Sequence, residues 1–258
     1  MNNDLRLEIV QMVKRSGEGH IPSSFSIIDI IDYIYEHELN YDNTDLSWTD
    51  RDYFILSKGH ACAALYVVLR KYGVLSDKDI EDYGTADGIL GGHPDSTRIP
   101  GVEASTGSLG HGFPSAVGLA LGLRILNQRN RVFVLVGDGE CHEGTVWEAA
   151  HVANNLELGN LCVIVDWNGS AAQLMPQDNL PEKWKAFGWN TIEMDGHSTS
   201  EFDKTFSGLD YSLIGKPKAI IAHNIKGKGV SFIEGHGPWH HRIPSDDEMK
   251  LIVEELGS

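Results

Sequence analysis

Basic residues are the scarce charge in this chain: 21 Lys and Arg stand against 37 Asp and Glu in 258 residues, a net charge of −16. Nucleic acid is therefore not an expected partner, because neutralising its phosphates takes basic patches. Binding even one diphosphate calls for local help from a metal ion, helix N-termini or a few histidines. Cysteine is also sparse. Cys62, Cys141 and Cys162 form an odd set that argues against a disulfide framework and fits a reducing cytoplasm. No apolar run approaches the roughly 20 residues of a membrane span. Met1-Asn2-Asn3-Asp4-Leu5-Arg6 lacks the charged-then-apolar layout of a signal peptide. No internal repeat or linker appears, so residues 1–258 read as a single domain. The Gly-x-Gly-x-x-Gly that a nicotinamide-binding domain needs after its first strand is missing too. What remains, 41% hydrophobic and 22% charged residues, is the composition of a soluble globular protein.

The patterning that is present alternates strand and helix. Leu5, Ile9, Met12 and Val13 recur at helical spacing over 4–16, and the helix stops at Ser16-Gly17-Glu18-Gly19. His20 follows, and a second helix is expected over about 26–38, opened by the serines before it. Tyr53–Leu56 reads as a short strand with Ser57-Lys58-Gly59-His60 as the turn at its carboxyl end, then a helix over 61–72. Ligands of open α/β sheets bind at such strand-to-helix edges, which makes His60 a candidate. A short acidic helix covers 76–83. A glycine-rich loop runs from Gly84 to Gly112 and holds His93 and Gly107-Ser108-Leu109; fixed glycine turns in so long a loop favour function. A small apolar helix over 113–127 should pack on the sheet. Strand 131–136, helix 145–157 and strand 161–165 form a βαβ unit. Further elements are expected at 180–187 (helix), 189–194 (strand), 200–209 (helix), 217–222 (strand) and 246–256 (helix). The fold class is α/β: a doubly wound, mainly parallel sheet with helices on both faces.

The βαβ unit carries the clearest chemistry. Gly137-Asp138-Gly139 ends its first strand and Asp166-Trp167-Asn168 ends its second. Asp138 offers a carboxylate, Asn168 a side-chain carbonyl and Ser170 a backbone carbonyl. A hard cation such as Mg²⁺ (or Ca²⁺ or Mn²⁺) takes oxygen ligands of this kind, completed by phosphate oxygens and water. Taken alone, Gly-Asp-Gly reads equally as a strand-to-helix turn with an Asp cap. Asn168 at the end of the next strand tips the balance to a metal-diphosphate clamp.

With these residues in view, the chain resembles the N-terminal part of transketolases, which are thiamine diphosphate enzymes. The segments that carry the likeness occur in the family's order. They are Ser16 to His20, Ser57-Lys58-Gly59-His60-Ala61, Gly92-His93-Pro94, Ser105-Thr106-Gly107-Ser108-Leu109-Gly110, Gly137-Asp138-Gly139 with Glu143-Gly144, and Ile225-Lys226-Gly227-Lys228-Gly229-Val230 with Trp239-His240. The resemblance covers about 15 to 242. It implies that His20, His60, His93 and His240 are the active-site histidines, contacting the sugar's hydroxyls and developing oxyanion. It further implies that His60, Gly107, Ser108, Leu109, Gly137, Asp138, Gly139, Glu143 and Asn168 touch the cofactor or its surroundings, with Asp138, Asn168 and Ser170 on the metal. Glu143 would lie at a subunit contact, near a partner glutamate that activates the cofactor.

The resemblance also implies what lies elsewhere. The family's pyrimidine-binding and C-terminal domains are expected on a partner chain in an α₂β₂ assembly, with a sugar or sugar phosphate as substrate. Several positions depart from the family pattern: Pro22-Ser23, His111, His142, Trp167, Gly169-Ser170-Ala171-Ala172 and His241. None removes a metal ligand. Rival readings are a 1-deoxyxylulose-phosphate-synthase-like or 2-oxoacid dehydrogenase-like subunit, and a non-catalytic scaffold subunit. Four histidines suited to polyols favour ketol transfer over pyruvate decarboxylation, and a scaffold would be expected to have lost cofactor ligands, whereas Asp138, Asn168 and the four histidines are all present.

Overall fold

Among the described residues five segments form strands, four of them apolar runs, and all five pair in parallel. The computed structural model describes residues 2–177, 179–235, 237 and 239–257. Helices α1 (Asn3–Ser16), α2 (Ile21–Phe25) and α3 (Ile28–Tyr33) precede β1 (Tyr53–Leu56). Helices α4 (Cys62–Lys71), α5 (Asp77–Glu81) and α6 (Gly112–Ile125) lead to β2 (Val132–Gly137). Helix α7 (Gly144–Asn155) leads to β3 (Leu161–Trp167), α8 (Leu180–Ala186) to β4 (Asn190–Asp195), and α9 (Thr199–Ser207) to β5 (Lys218–His223), before the final α10 (Asp246–Leu256). The strand order is β1-β2-β3-β5-β4. The chain thus steps one way from β1 to β4 and turns back for β5. Right-handed crossovers place helices of opposite steps on opposite faces. Accordingly α6, α7 and α8 bury one face with Phe113, Val146 and Trp184, whereas α9 joins α1, α3 and α4 on the other through Phe202 and Phe206. The sheet is doubly wound, with helices on both faces.

One sequence expectation needs correction. The segment expected as one helix over 26–38 is two pieces, α3 and a π-helical turn over Ile34–Glu38, and a separate short helix, α2, precedes it from Ile21 with a proline in its first turn. Pro22 suits a helix start because its missing N–H is not needed there. The serines taken as start signals, Ser23 and Ser24, lie inside α2 and are buried, as is Ser26 just after it. Helix α6 packs on β2 as expected, yet Ile125 and Leu126 at its end are exposed.

A buried cation locks the helical face to the loop after β5. Arg6, on α1, has no exposed surface; it donates to both carboxylate oxygens of Asp29 at 2.6 and 3.0 Å, and to the Lys228 carbonyl at 2.7 Å. The turn it grips needs glycine at 227: φ is +78°, and a Cβ there would stand 2.3 Å from the Ile233 carbonyl oxygen. Removing one partner of a buried ion pair strands the other charge. Asp29→Ala is expected to lower the unfolding free energy by about 3–5 kcal/mol, read from the midpoint of urea unfolding; a loss under about 1 kcal/mol would contradict the role given to the pair.

Candidate functional site

The carboxyl ends of the strands meet along one edge, and side-chain alternation decides who meets there. Residues two apart on a strand share a face. Phe54 and Leu56 of β1, Cys162 and Ile164 of β3, and Ile220 and Ala222 of β5 all belong to the α1–α4 side of the core. Continuing each series by one step gives Lys58, Asp166 and Asn224. They sit on the same face at neighbouring strand ends and they touch. Asp166 has no exposed surface. Its Oδ1 accepts from Ser26 Oγ at 2.7 Å and Asn224 Nδ2 at 2.6 Å, and its Oδ2 accepts from Asn168 Nδ2 at 2.9 Å and from the Lys58 ammonium.

Beside this cluster a cleft of about 380 Å³ opens. Asp138, Asn168, Ser170, Lys58, Lys226, His60 and His240 all line it, together with the apolar Leu109, Leu174 and Met175. Gly137 and Gly139 line it as well. The Ser170 N–H donates to Asn168 Oδ1 at 3.0 Å and the next one, Ala171, to Asp138 Oδ2 at 3.4 Å, so these two side-chain oxygens end at adjacent backbone amides. Lys226 Nζ donates to Ser170 Oγ at 2.7 Å and lies 3.1 Å from His240 Nδ1. Burial raises the Asp138 carboxyl pKa, with the Asp166 charge adding to it. Burial lowers the Lys226 ammonium, helped by Lys58.

The histidines gather at the same mouth. The His20 ring centroid is 5.2 Å from that of His60, 5.4 Å from His240 and 4.6 Å from His241. Burial and the neighbouring His241 and His240 lower the His20 pKa to about 4; burial, Lys58 and His20 lower His60 to about 2. Both are neutral imidazoles at neutral pH, able to donate and to accept.

Of the residues singled out from the sequence, His60, Leu109, Gly137, Asp138, Gly139, Asn168, Ser170 and His240 line the cleft, and His20 joins them by ring contact. Gly107, Ser108, His93 and Glu143 do not line it. A Cβ on Gly107 would stand 2.9 Å from His93 Cδ2, which places the histidine against that loop. Ser108 Oγ pairs with His111 Nδ1 at 3.3 Å, and Glu143 is exposed beside Gly110.

Sequence reasoning missed the residues that act by pairing. Lys58 and Asp166 were visible only as members of motifs. Glu140, fully buried, accepts from Ser57 Oγ at 2.6 Å, Gly110 N at 2.9 Å and Gly137 N at 2.9 Å, and so ties the loop carrying Leu109 to the ends of β1 and β2. Its spacing from Gly137, that of a capping box, was the one available signal. Lys226 and Lys228, alike in sequence, part company: Lys226 lines the cleft, while Lys228 pairs with Glu234 at 3.4 Å.

The donor set fits a divalent cation held jointly with a diphosphate. Among the described residues no group of three or more His, Cys, Asp and Glu side chains could hold a metal unaided. One carboxylate, one amide oxygen and a nearby backbone carbonyl leave positions for phosphate oxygens, the usual arrangement for Mg²⁺. Two ammonium groups and His60 face the place those phosphates would take.

Comparison with known proteins agrees with this chemistry. Residues 1–258 match the family model for the transketolase, thiamine diphosphate binding domain. One subunit of the apulose-4-phosphate transketolase of Actinobacillus succinogenes is 39% identical over 258 residues, covering 98% of this chain and 93% of the relative. Its namesake from Phocaeicola vulgatus is 36% identical over 256 residues, with 97% and 90% covered. The 6-deoxy-6-sulfo-D-fructose transketolase subunit SqwG of a Clostridium species is 34% identical over 259 residues, with 98% and 94% covered. The crystal structure of transketolase from Campylobacter jejuni superposes with a TM-score of 0.91 at 28% identity, over 99% of this chain and 42% of that one. Transketolase from Leishmania mexicana gives 0.92 at 28%, over 99% and 40%. The chain spans about two fifths of the length of these two transketolases.

The depressed histidines make stability depend on pH. In the unfolded chain they protonate as pH falls through about 6.5, while the folded protein resists until about 4 for His20 and about 2 for His60. Their contribution is present above pH ~6.5 and is lost as pH falls below it. The raised Asp138 and Glu140 carboxyls act in the opposite sense, so a variant isolates the imidazoles. Without ligands, the unfolding free energy should drop between pH 7 and 5, by on the order of 1–2 kcal/mol for His60 alone. His60→Gln should flatten that drop in urea titrations at the two pH values; an identical slope would remove the assignment of a neutral, buried imidazole.

Proposed function

The chain belongs to the transketolase N-terminal, thiamine diphosphate-binding domain family, and on that premise we propose that it is the diphosphate-binding subunit of a two-chain transketolase. The reaction is transfer of a two-carbon ketol unit from a ketose to an aldose. The observation that carries this reading is that Asp138, Asn168 and Ser170 line one cleft together with Lys58, Lys226, His60 and His240. Asp138, Asn168 and the Ser170 carbonyl would hold Mg²⁺. Lys58 and Lys226 would neutralise the diphosphate, the uncharged His60 would donate a hydrogen bond to it, and Leu109 would wall its ring. Thiamine diphosphate, when bound, supplies the carbanion chemistry that protein side chains lack.

The chain's own part is placement and proton handling. His20, His60 and His240 stand in ring contact at the mouth, where a polyol's hydroxyls would enter. As neutral imidazoles, His20 and His60 can donate to a developing oxyanion or take a hydroxyl proton. His93, held against Gly107, would guard the same channel from the loop side. Two relatives are named for apulose 4-phosphate and one for a sulfonated fructose. A ketose with an anionic end is therefore the favoured donor class.

The partner is a second chain that brings the pyrimidine-binding and C-terminal domains, in an α₂β₂ assembly. Three relatives named as transketolase subunits support it. So does the rim, where Leu109, Leu174 and Met175 expose apolar surface and Glu143 stands in solvent. Among the described residues no helix is long and apolar enough to cross a membrane, and all three cysteines are free and buried. Both suit a cytoplasmic enzyme.

Reconstitution tests the reading. The chain with Mg²⁺, thiamine diphosphate and its partner should transfer a ketol unit to an aldose, while the chain alone should be inactive; full activity of the isolated chain would overturn the two-chain arrangement. A pyruvate-dependent burst of CO₂ from the complex would favour the 2-oxoacid dehydrogenase-like alternative. Asp138→Ala should abolish measurable cofactor binding by calorimetry, and an unchanged affinity would remove the metal assignment.

A further inference from the structure

Asp166 is not among the expected ligands, yet more of the site is bonded to it than to any of them. An ionised carboxylate only accepts hydrogen bonds, at about four lone-pair positions. All four are used: Ser26 Oγ and Asn224 Nδ2 on one oxygen, Asn168 Nδ2 and the Lys58 ammonium on the other. The residue has no exposed surface, and so no water competes for these places.

This arrangement decides two things. The first is which atom of Asn168 faces the cleft. Because the carboxylate must receive a donor, the amide NH₂ turns to Asp166, and also to Ser26 Oγ at 3.2 Å. The carbonyl oxygen is left on the side of the Ser170 and Ala171 amides, where Asp138 Oδ2 also ends. Turned over, Asn168 would present NH₂ to a cation. The second is where the Lys58 charge sits. Its ammonium is drawn to Asp166 and lies 3.4 Å from the Ser23 carbonyl, and among the described residues no cation forms an ion pair with Asp138.

Resting on the function proposed above, we propose that Asp166 is a positioning residue: it orients the Asn168 carbonyl toward the divalent cation and holds Lys58 off Asp138. Outer partners of this kind commonly change metal affinity by about 10- to 100-fold when altered.

The two effects give a distinctive signature. Asp166→Asn keeps size and removes one negative charge, leaving the Lys58 charge uncompensated beside the cleft. That charge repels a divalent cation but not a diphosphate. Calorimetry on the full chain, alone and co-expressed with its partner, should show the Mg²⁺ concentration for half-saturation raised at least about tenfold. At saturating Mg²⁺ the affinity for thiamine diphosphate should stay within about threefold of wild type. Ser26→Ala and Asn224→Ala each remove one donor from the carboxylate but keep its charge. They should raise the Mg²⁺ requirement by a smaller factor, about two- to threefold, with the melting temperature retained.

A merely structural role would lower melting temperature, metal and cofactor affinity together, and that result would overturn the inference. If Asp166→Asn fails to fold, the Ser26 and Asn224 variants decide: wild-type Mg²⁺ dependence in both rejects it. A wild-type chain that binds no thiamine diphosphate at any Mg²⁺ concentration, alone or with its partner, removes the proposed function and this inference with it. Altered-variant failure against a cofactor-binding wild type removes the inference alone.

Discussion

The buried ion pair between Lys58 and Asp166 is the interaction on which the site depends. Taking two charges out of water costs several kcal/mol per ion before any return. The structure offsets that by filling every acceptor position on Asp166, with donors drawn from the α2–α3 junction, the turn after β1, the end of β3 and the turn after β5. Elements distant in sequence are thereby pinned to one point at the carboxyl edge of the sheet. Parallel pairing makes this possible, since it brings the ends of β1, β3 and β5 to the same edge with their face-sharing residues in phase.

Charge is then graded across the cleft. An acidic protein of net −16 collects Lys58, Lys226 and four contacting imidazoles around one opening. Two ammonium groups suit phosphates. The imidazoles serve a different need: burial, with those ammonium groups adding to it, keeps His20 and His60 uncharged, so each can both donate and accept a hydrogen bond. Permanent charge and proton-exchanging groups thus share one opening, with Lys58 and Lys226 buried and His240 and His241 exposed.

What could be read from the sequence was what repeats or stands alone. Buried strands announced themselves as short β-branched runs, and Asp138 and Asn168 as oxygen donors at strand ends. The α/β class, the strand positions and two oxygen-bearing side chains of the cleft came from those signals. Helix boundaries near Pro22 did not, because Ser23, Ser24 and Ser26 look like caps and are in fact buried polar groups; Ser26 reaches Asp166, 140 residues away. Lys58 and Asp166 are separated by 108 residues. No local period connects them, and only the strand order that places β1 and β3 on either side of β2 makes them neighbours. Glu140 hid for the same reason, its partners Ser57 and Gly110 being 83 and 30 residues distant.

The depth of order within the site contrasts with its rim. Glu140 fixes the loop under Leu109 through three hydrogen bonds, and Gly110 is packed so closely that a Cβ there would lie 2.6 Å from Glu143 Cβ. Yet Leu109 itself is 37% exposed, Met175 53% and Leu174 94%. Rigid backbone beneath exposed apolar side chains is costly for a free surface, where water gains nothing from the order and the apolar area stays wet. It suits a surface completed by another body, because a preorganised face loses little entropy on docking. The same loop that presents Leu109 to the cleft packs against Glu143, which faces outward. The hydrogen bonds of Glu140 thus fix the backbone that presents Leu109 to the cleft and Gly110 to Glu143, so the proposed cofactor wall and partner contact would share one rigid support.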